Sequence, residues 1–337
     1  MKPLDDIIAA AKAEPRHIVL AEGEDLRIID GAIRAVTECI ARITLLGNVE
    51  RIRSALTARG ADPDRFSIED PLVSPKVEQY AAAYFDLRRH KGIDEVAAIR
   101  AVSDLLGFAA MMVRQGEADG TIGGAVATTA DTVRAALQII GKARDSRIVS
   151  SFFLMMLCET HHTKKGAFVF ADCGLVVEPD AAELADIAIA SARSFQALTG
   201  GEPKVAMLSF STGGSAVHDR VSKVVKAVEL ARAADPSLLI DGELQFDAAF
   251  VEAVSVAKAP GSAIKGAANV LIFPNLEAAN IGYKIAQRIG GAKAIGPILQ
   301  GLARPANDLS RGCSADDVYH MIAVTCAQAR MAARADA

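Results

Sequence analysis

The sequence contains no tryptophan, and aromatic residues make up only 5% of its 337 positions. It has no apolar run near the roughly 18 residues that a membrane-spanning helix needs, so we expect no membrane partner. The first residues, Met1 to Asp6, are acidic and lack a long apolar run, so we expect no signal peptide. The remaining composition, 51% hydrophobic and 23% charged, is typical of a soluble enzyme with an ample core.

Cysteines are few, and none of them forms a CxxC pair. The five lie far apart along the chain, at Cys39, Cys158, Cys173, Cys313 and Cys326. An odd, scattered set excludes a disulfide framework and a cysteine-based zinc site, and it favours the reducing cytoplasm. His161, His162 and His218 also lack partners at metal-ligand spacing, so we predict no metal site.

Long blocks of one charge are missing as well. The net charge is −4, and the lysines and arginines form no block. We therefore expect no nucleic acid partner and no binding to an anionic membrane, although a local basic pocket for a small anion stays open. The chain also lacks the G-x-G-x-x-G, Walker A and G-x-S-x-G motifs, which argues against a dinucleotide site, a P-loop and a serine hydrolase.

Short β-rich runs alternate with helical patterns along most of the chain. Examples of the predicted strands are 18–20, 120–123 and 270–273, and examples of the predicted helices are 95–115, 131–140 and 215–234. This alternation predicts an α/β fold with mostly parallel sheets covered by helices. The most polar gap near the middle of the chain, 141–146, is the predicted domain boundary.

The stretch from Asn307 to Asp317 combines a fixed cation, a hydroxyl and carboxylates. Arg311 can hold a phosphate or a developing oxyanion with its planar set of donors, and a nearby carboxylate can accept a proton. The same residues fit a capping box, with Ser314 at the N-cap and Asp317 at N3. The local sequence favours neither interpretation, and the two are compatible, because a helix N-terminus also attracts anions.

The segment 123–134 is a second candidate for ligand binding. Its small residues let the backbone approach a ligand, and the hydroxyls of Thr128 and Thr129 could bind an anion. Arg134 would fall in the first turn of a helix, where its charge opposes the helix dipole. We take this as mild support for a ligand, although a surface ion pair would explain it too.

Three smaller features stay open between a functional and a structural role. The turn at Thr212–Ser215 could cradle phosphate with its backbone amides or could be a tight turn. Cys313 lies close to Arg311, which favours a thiolate, but a lone cysteine is more often a packing residue. Asn280, Tyr283 and Lys284 share one helix face that lines a cleft or faces solvent.

Taken together, these segments resemble the phosphotransacetylase (phosphate acetyltransferase) family nearly from end to end. The matching motifs are Ala21–Glu24, Leu87–Gly92, Gly116–Gly120, Ala130–Arg134, Phe170–Cys173, Asp241–Asp247, Asn280–Lys284 and the stretch from Asn307 to Asp317. The resemblance implies that acetyl-CoA and phosphate react reversibly to give acetyl phosphate and CoA. CoA and acetyl phosphate are then the partners, as substrates, and no tightly bound cofactor is implied.

The resemblance also implies the architecture. It indicates two α/β domains arranged as in isocitrate and isopropylmalate dehydrogenases, with the active-site cleft between them, and a homodimer. The first domain would comprise residues 1–146 and 299–337, because the C-terminal helix returns to it. The second domain would comprise residues 147–298.

By motif position, the resemblance makes Ser310, Arg311 and Asp317 the catalytic residues. A thiol with a pKa of about 8.5 is mostly protonated at neutral pH, so a base must help CoA attack the acyl group. Asp317 would accept the thiol proton, while Arg311 would hold the phosphoryl group and offset developing charge. Ser310 would donate a hydrogen bond to the substrate, and no protein nucleophile is needed because CoA supplies one.

The remaining predicted contacts fall into two sets. Arg88 and Arg134 would bind CoA, and the acyl phosphate would be held by Thr129, Asn280, Tyr283 and Lys284. Two residues depart from the family pattern: Ala127 stands where many members carry histidine, and Ala135 where many carry proline. The first departure removes a polar group beside the predicted site and leaves the acyl preference open.

Three rival functions are compatible with parts of this pattern. A phosphate butyryltransferase-like enzyme would use the same chemistry with a larger acyl group. A non-catalytic acyl-CoA-binding regulatory protein would not need the intact set of Ser310, Arg311 and Asp317. A metal-dependent hydroxyacid dehydrogenase of the same fold would need an aspartate cluster and a dinucleotide site, which the sequence lacks.

Overall fold

The structure is a computed structural model that describes residues 2–335. These residues form two compact units, which meet in the sequence at Arg144/Asp145 and again at Gly301/Leu302. The first unit contains residues 5–144 together with the chain after Gly301, and the second contains 145–301 with the first few residues. Each unit has one sheet with helices around it, so the predicted α/β fold is confirmed.

The strands are short, as is usual for an α/β protein. They are β1 (Arg16–Leu20), β2 (Ala41–Leu46), β3 (Ser67–Glu69), β4 (Gly120–Gly123), β5 (Ser150–Leu157), β6 (Gly166–Ala171), β7 (Val205–Leu208), β8 (Ile240–Leu244), β9 (Val270–Ile272), β10 (Lys293–Gln300) and β11 (Ala306–Asp308).

The helices lie mostly between consecutive strands. They are α1 (Lys2–Ala13), α2 (Leu26–Thr37), α3 (Val49–Ala58), α4 (Val77–Arg88), α5 (Glu95–Ser103), α6 (Leu105–Arg114), α7 (Thr129–Ala135), α8 (Ala181–Thr199), α9 (Asp219–Ala234), α10 (Phe246–Phe250), α11 (Glu252–Lys258), α12 (Leu276–Arg288) and α13 (Ala315–Ala335).

The sheet of the first unit is entirely parallel, in the order β11-β4-β1-β2-β3. From β1 the chain moves through β2 and β3 on one side, whereas β4 and β11 lie on the other side of β1. The strand order therefore reverses between β1 and β4. In open α/β sheets, ligands bind outside the carboxyl ends of the strands at such a reversal.

The sheet of the second unit is mixed, in the order β10-β5-β6-β9-β7-β8. The pairs β10/β5 and β5/β6 are antiparallel, and the other neighbours are parallel. Strand β5 therefore runs opposite to the other five strands, and mixed sheets of this kind are common among large sheets.

Helix α6 is largely buried in the first unit. Every residue from Gly107 to Val113 is buried. It packs in a core with Val19 of β1, Leu46 of β2 and Tyr80 of α4. Helix α6 and the sheet therefore share one apolar core.

The predicted helix 95–115 is wrong in one respect, because it is two helices bent by 94° at Asp104. Asp104 has an extended backbone, and its Oδ1 accepts hydrogen bonds from the amides of Leu106 at 3.0 Å and Gly107 at 3.3 Å. The side chain therefore caps α6, while the apolar pattern continues across the break. Within residues 2–335, no single helix has the length and apolar character needed to span a membrane. Helices α5 and α6 meet both criteria only when they are counted together, and they are bent at the break.

Other predicted boundaries also need correction. The helix predicted at 131–140 begins at Thr129 as α7 and continues as a π-helix from Ala136 to Ile140. The helix predicted at 215–234 begins only at Asp219, because His218 is its N-cap and accepts from the Arg220 amide. Strands β3, β10 and β11 were not predicted from the sequence.

Candidate functional site

The loop after β11 leaves the first sheet at its carboxyl edge. Asp308 pairs with Gly123 of β4, and the amide of Leu309 donates to the carbonyl of Gly123 at 2.8 Å. The loop from Leu309 to Ser314 therefore runs beside the loop that follows β4. This placement puts the predicted catalytic residues next to the reversal in strand order.

Ser314 and Asp317 form the predicted capping box at the start of α13. The amide and the hydroxyl of Ser314 both donate to Asp317 Oδ2 at 2.8 Å, and the amide of Asp317 donates to Ser314 Oγ at 3.2 Å. Asp317 is half-buried, whereas Asp316 is exposed and forms an ion pair with Arg34. The capping interpretation is thus confirmed, and the second oxygen of Asp317 is left for another partner.

Ser310 and Arg311 are both exposed. The amide of Gly312 donates to Ser310 Oγ at 3.2 Å, which leaves the hydroxyl hydrogen free to be donated elsewhere. Among residues 2–333, the Arg311 guanidinium has no hydrogen-bond or ion-pair partner. An exposed guanidinium without an internal partner keeps all its donors for an anionic ligand.

Arg27 binds the loop from Leu309 to Ser314, which carries the predicted catalytic residues Ser310 and Arg311. From α2, its guanidinium donates to Asp25, with Nε 2.9 Å from Oδ1 and Nη2 2.7 Å from Oδ2. The same group donates to the carbonyl of Ala125 at 2.8 Å and to that of Arg311 at 2.6 Å. Arg27 therefore joins the loops that follow β1, β4 and β11.

Glu22 shapes the loop after β4 from within. Its carboxylate is buried and accepts hydrogen bonds from three consecutive amides, Ala125 at 2.6 Å, Val126 at 3.0 Å and Ala127 at 2.7 Å. These amides are the ones that the small residues of 123–134 seemed to offer to a ligand. Because Glu22 occupies them, these three amides are not available to an anion.

The two threonines at the start of α7 have different partners. Thr128 is the N-cap: its hydroxyl donates to Asp131 Oδ2 at 2.7 Å and accepts from the Asp131 amide at 3.2 Å. The hydroxyl of Thr129 donates instead to Asp308 Oδ2 at 2.6 Å. Thr129 therefore contacts the end of β11, just before the loop that carries Ser310 and Arg311.

We predicted that Arg134 lies in the first turn of its helix, but it lies in the last turn of α7. The helix begins two residues earlier than its apolar pattern indicates, because Thr128 caps it. Arg134 is exposed and forms an ion pair with Asp131 at 2.6 Å, and the neighbouring Thr128 and Arg134 lower the pKa of Asp131. The prediction that the charge of Arg134 opposes the helix dipole is therefore wrong, and it gives no support for a ligand at this residue.

Arg88 ends α4, beside three further basic residues. Its Nε is buried and has no hydrogen-bond partner within residues 2–333. A short 3₁₀ turn of Arg89, His90 and Lys91 follows, and Gly92 closes it with a φ of 78°. Arg88, which the resemblance implies as a CoA contact, therefore lies next to a run of three basic residues.

Cys313 is buried, and burial raises the pKa of its thiol. The nearby Arg27 charge lowers this pKa, but the effect is smaller than that of burial. The thiolate is the reactive form of cysteine, so the structure favours the packing role over the nucleophilic one.

The second unit carries the other predicted contacts, on α12. Asn280 Nδ2 donates to the carbonyl of Cys173 at 3.1 Å, and Lys284 Nζ donates to Asn280 Oδ1 at 2.7 Å. Tyr283 stacks on Phe153 with ring centroids 4.0 Å apart, and burial raises the pKa of its hydroxyl. Asn280 and Lys284 therefore form one polar group, and Tyr283 packs beside it.

The turn at Thr212–Ser215 is closed by protein groups. The amide of Gly214 and the hydroxyl of Ser211 both donate to the buried Glu243 at 2.8 Å, and the amide of Thr212 donates to Ser215 Oγ at 3.0 Å. A phosphate there would meet a buried carboxylate instead of free amides. The structure therefore favours the tight-turn interpretation over phosphate binding.

Sequence reasoning missed Arg27, Glu22 and Asp308 as parts of this site. Glu22 and Asp308 fall inside the quoted motifs, but nothing local indicates that their partners lie elsewhere in the chain. Among the described residues, no group of three or more His, Cys, Asp or Glu side chains could hold a metal ion.

Comparisons with known proteins agree along almost the whole chain. A family model described as phosphate acetyl/butaryl transferase matches residues 3–326. A phosphate acetyltransferase from Paracoccus denitrificans is 51% identical over 330 residues, which is 98% of this chain and 100% of the relative. One from Acetivibrio thermocellus is 49% identical over 330 residues, which is 98% of this chain and 99% of the relative.

Solved structures give the same result. A phosphotransacetylase from Streptococcus pyogenes has a TM-score of 0.92 and 41% sequence identity, with 98% of each chain covered. A branched-chain phosphotransacylase from Enterococcus faecalis has a TM-score of 0.68 at 20% identity, with 93% of this chain and 99% of that chain covered. The second similarity concerns the fold alone.

The environment of the cysteines predicts their order of alkylation. Cys39 is exposed, whereas Cys313 is buried with a raised pKa and Cys326 is buried with a pKa raised to about 12. We expect iodoacetamide to modify Cys39 first, Cys313 much more slowly and Cys326 last, as followed by peptide mass spectrometry of the folded protein. Modification of Cys313 ahead of Cys39 would contradict the packing role.

Proposed function

This chain belongs to the phosphate acetyl/butaryl transferase family, as its resemblance implied, and we propose that it transfers an acetyl group between CoA and phosphate. Acetyl-CoA and phosphate would give acetyl phosphate and CoA, reversibly. The relatives that match it over nearly their full length are phosphate acetyltransferases.

The observation that best supports this proposal is the exposed guanidinium of Arg311. It lies in the loop after β11, at the carboxyl edge of a parallel sheet and beside the reversal in strand order. Phosphate is the leaving group when acetyl-CoA forms and the attacking group when acetyl phosphate forms, and in both directions it carries negative charge on several oxygens. A planar guanidinium can bind two of these oxygens and offset the charge that develops during transfer.

We propose direct transfer in a ternary complex. The CoA thiolate attacks the acetyl carbon, the bond from that carbon to the phosphate oxygen breaks, and phosphate leaves. Ser310 can donate its hydroxyl hydrogen to the substrate, since its oxygen already accepts from Gly312. The buried Cys313 supports a path without an acyl-enzyme, and Asp317 is the carboxylate that the resemblance offers as acceptor of the thiol proton.

The remaining substrate contacts stay predictions within this proposal. Arg88 and Arg134 would bind the phosphates of CoA, and the exposed position of Arg134 supports this. For the acyl phosphate, the polar group of Asn280 and Lys284 with the adjacent Tyr283 offers donors on one helix face. Thr129 was predicted with these residues, but its hydroxyl hydrogen points to Asp308.

The proposal needs no bound cofactor, because CoA and the acyl phosphate supply the reacting groups. We also keep the homodimer and the cytoplasmic location as predictions. The five free cysteines fit a reducing compartment. Sedimentation equilibrium at micromolar concentration tests the dimer, and a monomer mass would contradict it.

A turnover assay tests the function. The purified protein should form acetyl phosphate from acetyl-CoA and phosphate, with free CoA measured by a thiol reagent. Acetyl, propionyl and butyryl phosphates should be compared in the reverse direction, and the acetyl substrate should have the highest kcat/KM. The absence of turnover in both directions with every substrate would refute the enzymatic function, and a preference for butyryl phosphate would favour the butyryltransferase alternative.

Substitution of Arg311 tests the group that carries the proposal. Arg311→Ala should lower kcat/KM by about 10²- to 10³-fold, the usual effect of removing one donor to a developing charge. Arg311→Lys should have an intermediate kcat/KM, because lysine keeps the positive charge but lacks the planar arrangement of donors. Arg53→Ala is the matched control, since Arg53 is an exposed arginine of α3 paired with Asp64.

The two alanine variants separate the alternatives. If Arg311→Ala loses no more activity than Arg53→Ala, then the Arg311 guanidinium does not bind the reacting phosphate. Thermal unfolding midpoints of both variants should stay near that of the unsubstituted protein, because neither guanidinium is buried.

A further inference from the structure

Gly31 is buried in the middle of α2, where this helix packs against α13. A Cβ at this position would lie 2.7 Å from both Cβ and Cγ1 of Val318, and 3.0 Å from the carbonyl oxygen of Ala315. Non-bonded carbon atoms normally stay about 3.5–4.0 Å apart. Glycine is also a poor residue for a helix interior. Its presence here is therefore explained by the close approach of the two helices, which no other residue allows.

The close contact falls on the first turn of α13. Ala315 begins the helix, and Val318 is fully buried. Asp317 lies between them in the sequence, and its Oδ2 accepts hydrogen bonds from the amide and the hydroxyl of Ser314. The capping box thus fixes the Asp317 side chain to the backbone of this turn. A displacement of the turn therefore moves the carboxylate with it.

Arg34, one turn after Gly31 on α2, binds the same part of α13 through its side chain. Its Nη1 donates to Asp316 Oδ1 at 2.8 Å, and its guanidinium lies 3.8 Å from the centroid of the Tyr319 ring. Its Nε donates to Glu38 Oε1 at 2.9 Å, and the Tyr319 hydroxyl donates to Glu38 Oε2 at 2.8 Å. Helix α2 therefore holds the start of α13 by close packing at one residue and by polar contacts at the next turn.

We propose that Gly31 is a positioning residue for acyl transfer, because it sets the distance from α2 at which α13 presents the Asp317 carboxylate to CoA. Gly31 touches no substrate and acts only through the first turn of α13. The inference rests on the proposed function, in which Asp317 accepts the thiol proton.

The step that depends on this distance is the proton transfer. The S–H bond of CoA breaks, and its proton passes to Asp317 Oδ1, the oxygen that Ser314 does not bind. The thiolate electron pair forms the bond to the acetyl carbon, and the carbon–oxygen bond to phosphate breaks. In the reverse direction, Asp317 returns the proton to the departing thiolate.

The predicted substrate contacts are held by other parts of the first unit. The carbonyl of Arg311 accepts from Arg27 at 2.6 Å, and the Leu309 amide donates to the carbonyl of Gly123 at 2.8 Å. Arg88 and Arg134 lie on α4 and α7. A change of distance at Gly31 should therefore lower kcat and leave KM nearly unchanged.

Gly31→Ala tests the inference by adding one methyl group to this contact. The first turn of α13 then has to move by several tenths of an ångström, and a misplacement of about 1 Å can cost about 10²-fold in rate. We expect kcat for acetyl-CoA formation at pH 7 to fall by roughly 10- to 100-fold, with the KM values for CoA and acetyl phosphate changed by less than about threefold.

The pH dependence separates a misplaced base from general damage. The thiol of CoA, with a pKa of about 8.5, is mostly ionised at pH 9 and then needs little help from a base. The kcat deficit of Gly31→Ala at pH 9 should therefore be at most about a third of that at pH 7. A deficit that stays constant between these pH values would overturn the proposal, since ionising the thiol does not repair a damaged fold.

Titratable groups around this turn largely keep their charge between pH 7 and pH 9. Hydrogen bonds from Lys12 of α1 and from Arg34 lower the pKa of Glu38 to about 2. Burial raises the pKa of Tyr319 to about 12, and it also raises the pKa of the Cys313 thiol in the preceding loop. The comparison of pH 7 with pH 9 thus reports on the thiol of CoA.

Gly120→Ala is the matched control, because it adds the same methyl group against a different part of the same helix. Its Cβ would lie 2.7 Å from Cγ2 of Thr325, two turns beyond Asp317. Both variants should have a lower Tm, because both are overpacked, but Gly120→Ala should keep kcat within about threefold at both pH values. A loss in Gly120→Ala that equals the loss in Gly31→Ala would contradict the specific role of Gly31.

Val318→Ala decides the question if Gly31→Ala does not fold. It removes two methyl groups from the same contact and so leaves the first turn of α13 less firmly placed. Its kcat should fall at pH 7 and recover at pH 9, and a deficit independent of pH would refute the proposal. If the unsubstituted protein shows no turnover in either direction, the proposed function fails and this inference with it. Normal kcat in a folded Gly31→Ala variant refutes this inference alone.

Discussion

The guanidinium of Arg27 holds together the loops from which the site in the first unit is built. It bonds Asp25 in the loop after β1, the carbonyl of Ala125 in the loop after β4, and the carbonyl of Arg311 in the loop after β11. Hydrogen bonds to a charged group contribute about 1.5–3 kcal/mol each, more than neutral ones. The guanidinium of Arg27 donates to protein groups, whereas that of Arg311 can donate to a ligand. Arg27 therefore stabilises the site, and Arg311 is available to bind there.

Two buried carboxylates complete this framework and set its electrostatics. Glu22 accepts hydrogen bonds from three amides of the loop after β4, and Asp308, the last residue of β11, accepts one from Thr129. Negative charge beneath an anion site opposes anion binding, so the exposed guanidinium of Arg311 has to supply the attraction. Burial raises the pKa of Asp308 to about 6, and the nearby charge of Glu22 adds to this effect.

The sequence predicted the parts of the site whose interactions are local. The α/β alternation and the capping box of Ser314 and Asp317 depend on neighbours within a few positions, and both are confirmed. The roles of Arg27 and Glu22 could not be predicted from local sequence. The partner of Arg27 at Arg311 lies 284 positions away, and Glu22 binds amides more than 100 positions away. The bend at Asp104 was missed because the apolar pattern continues through it, and only the capping geometry of the side chain ends α5 there.

Isotope exchange tests the central claim, that CoA is the nucleophile and no acyl-enzyme forms, most directly. The protein is incubated with acetyl phosphate and isotopically labelled inorganic phosphate, with and without CoA, and label in acetyl phosphate is measured. Direct transfer predicts exchange only when CoA is present, because phosphate cannot leave until the thiolate has attacked. Exchange without CoA at a rate comparable with turnover would show that a protein group accepts the acetyl group, and it would contradict the account.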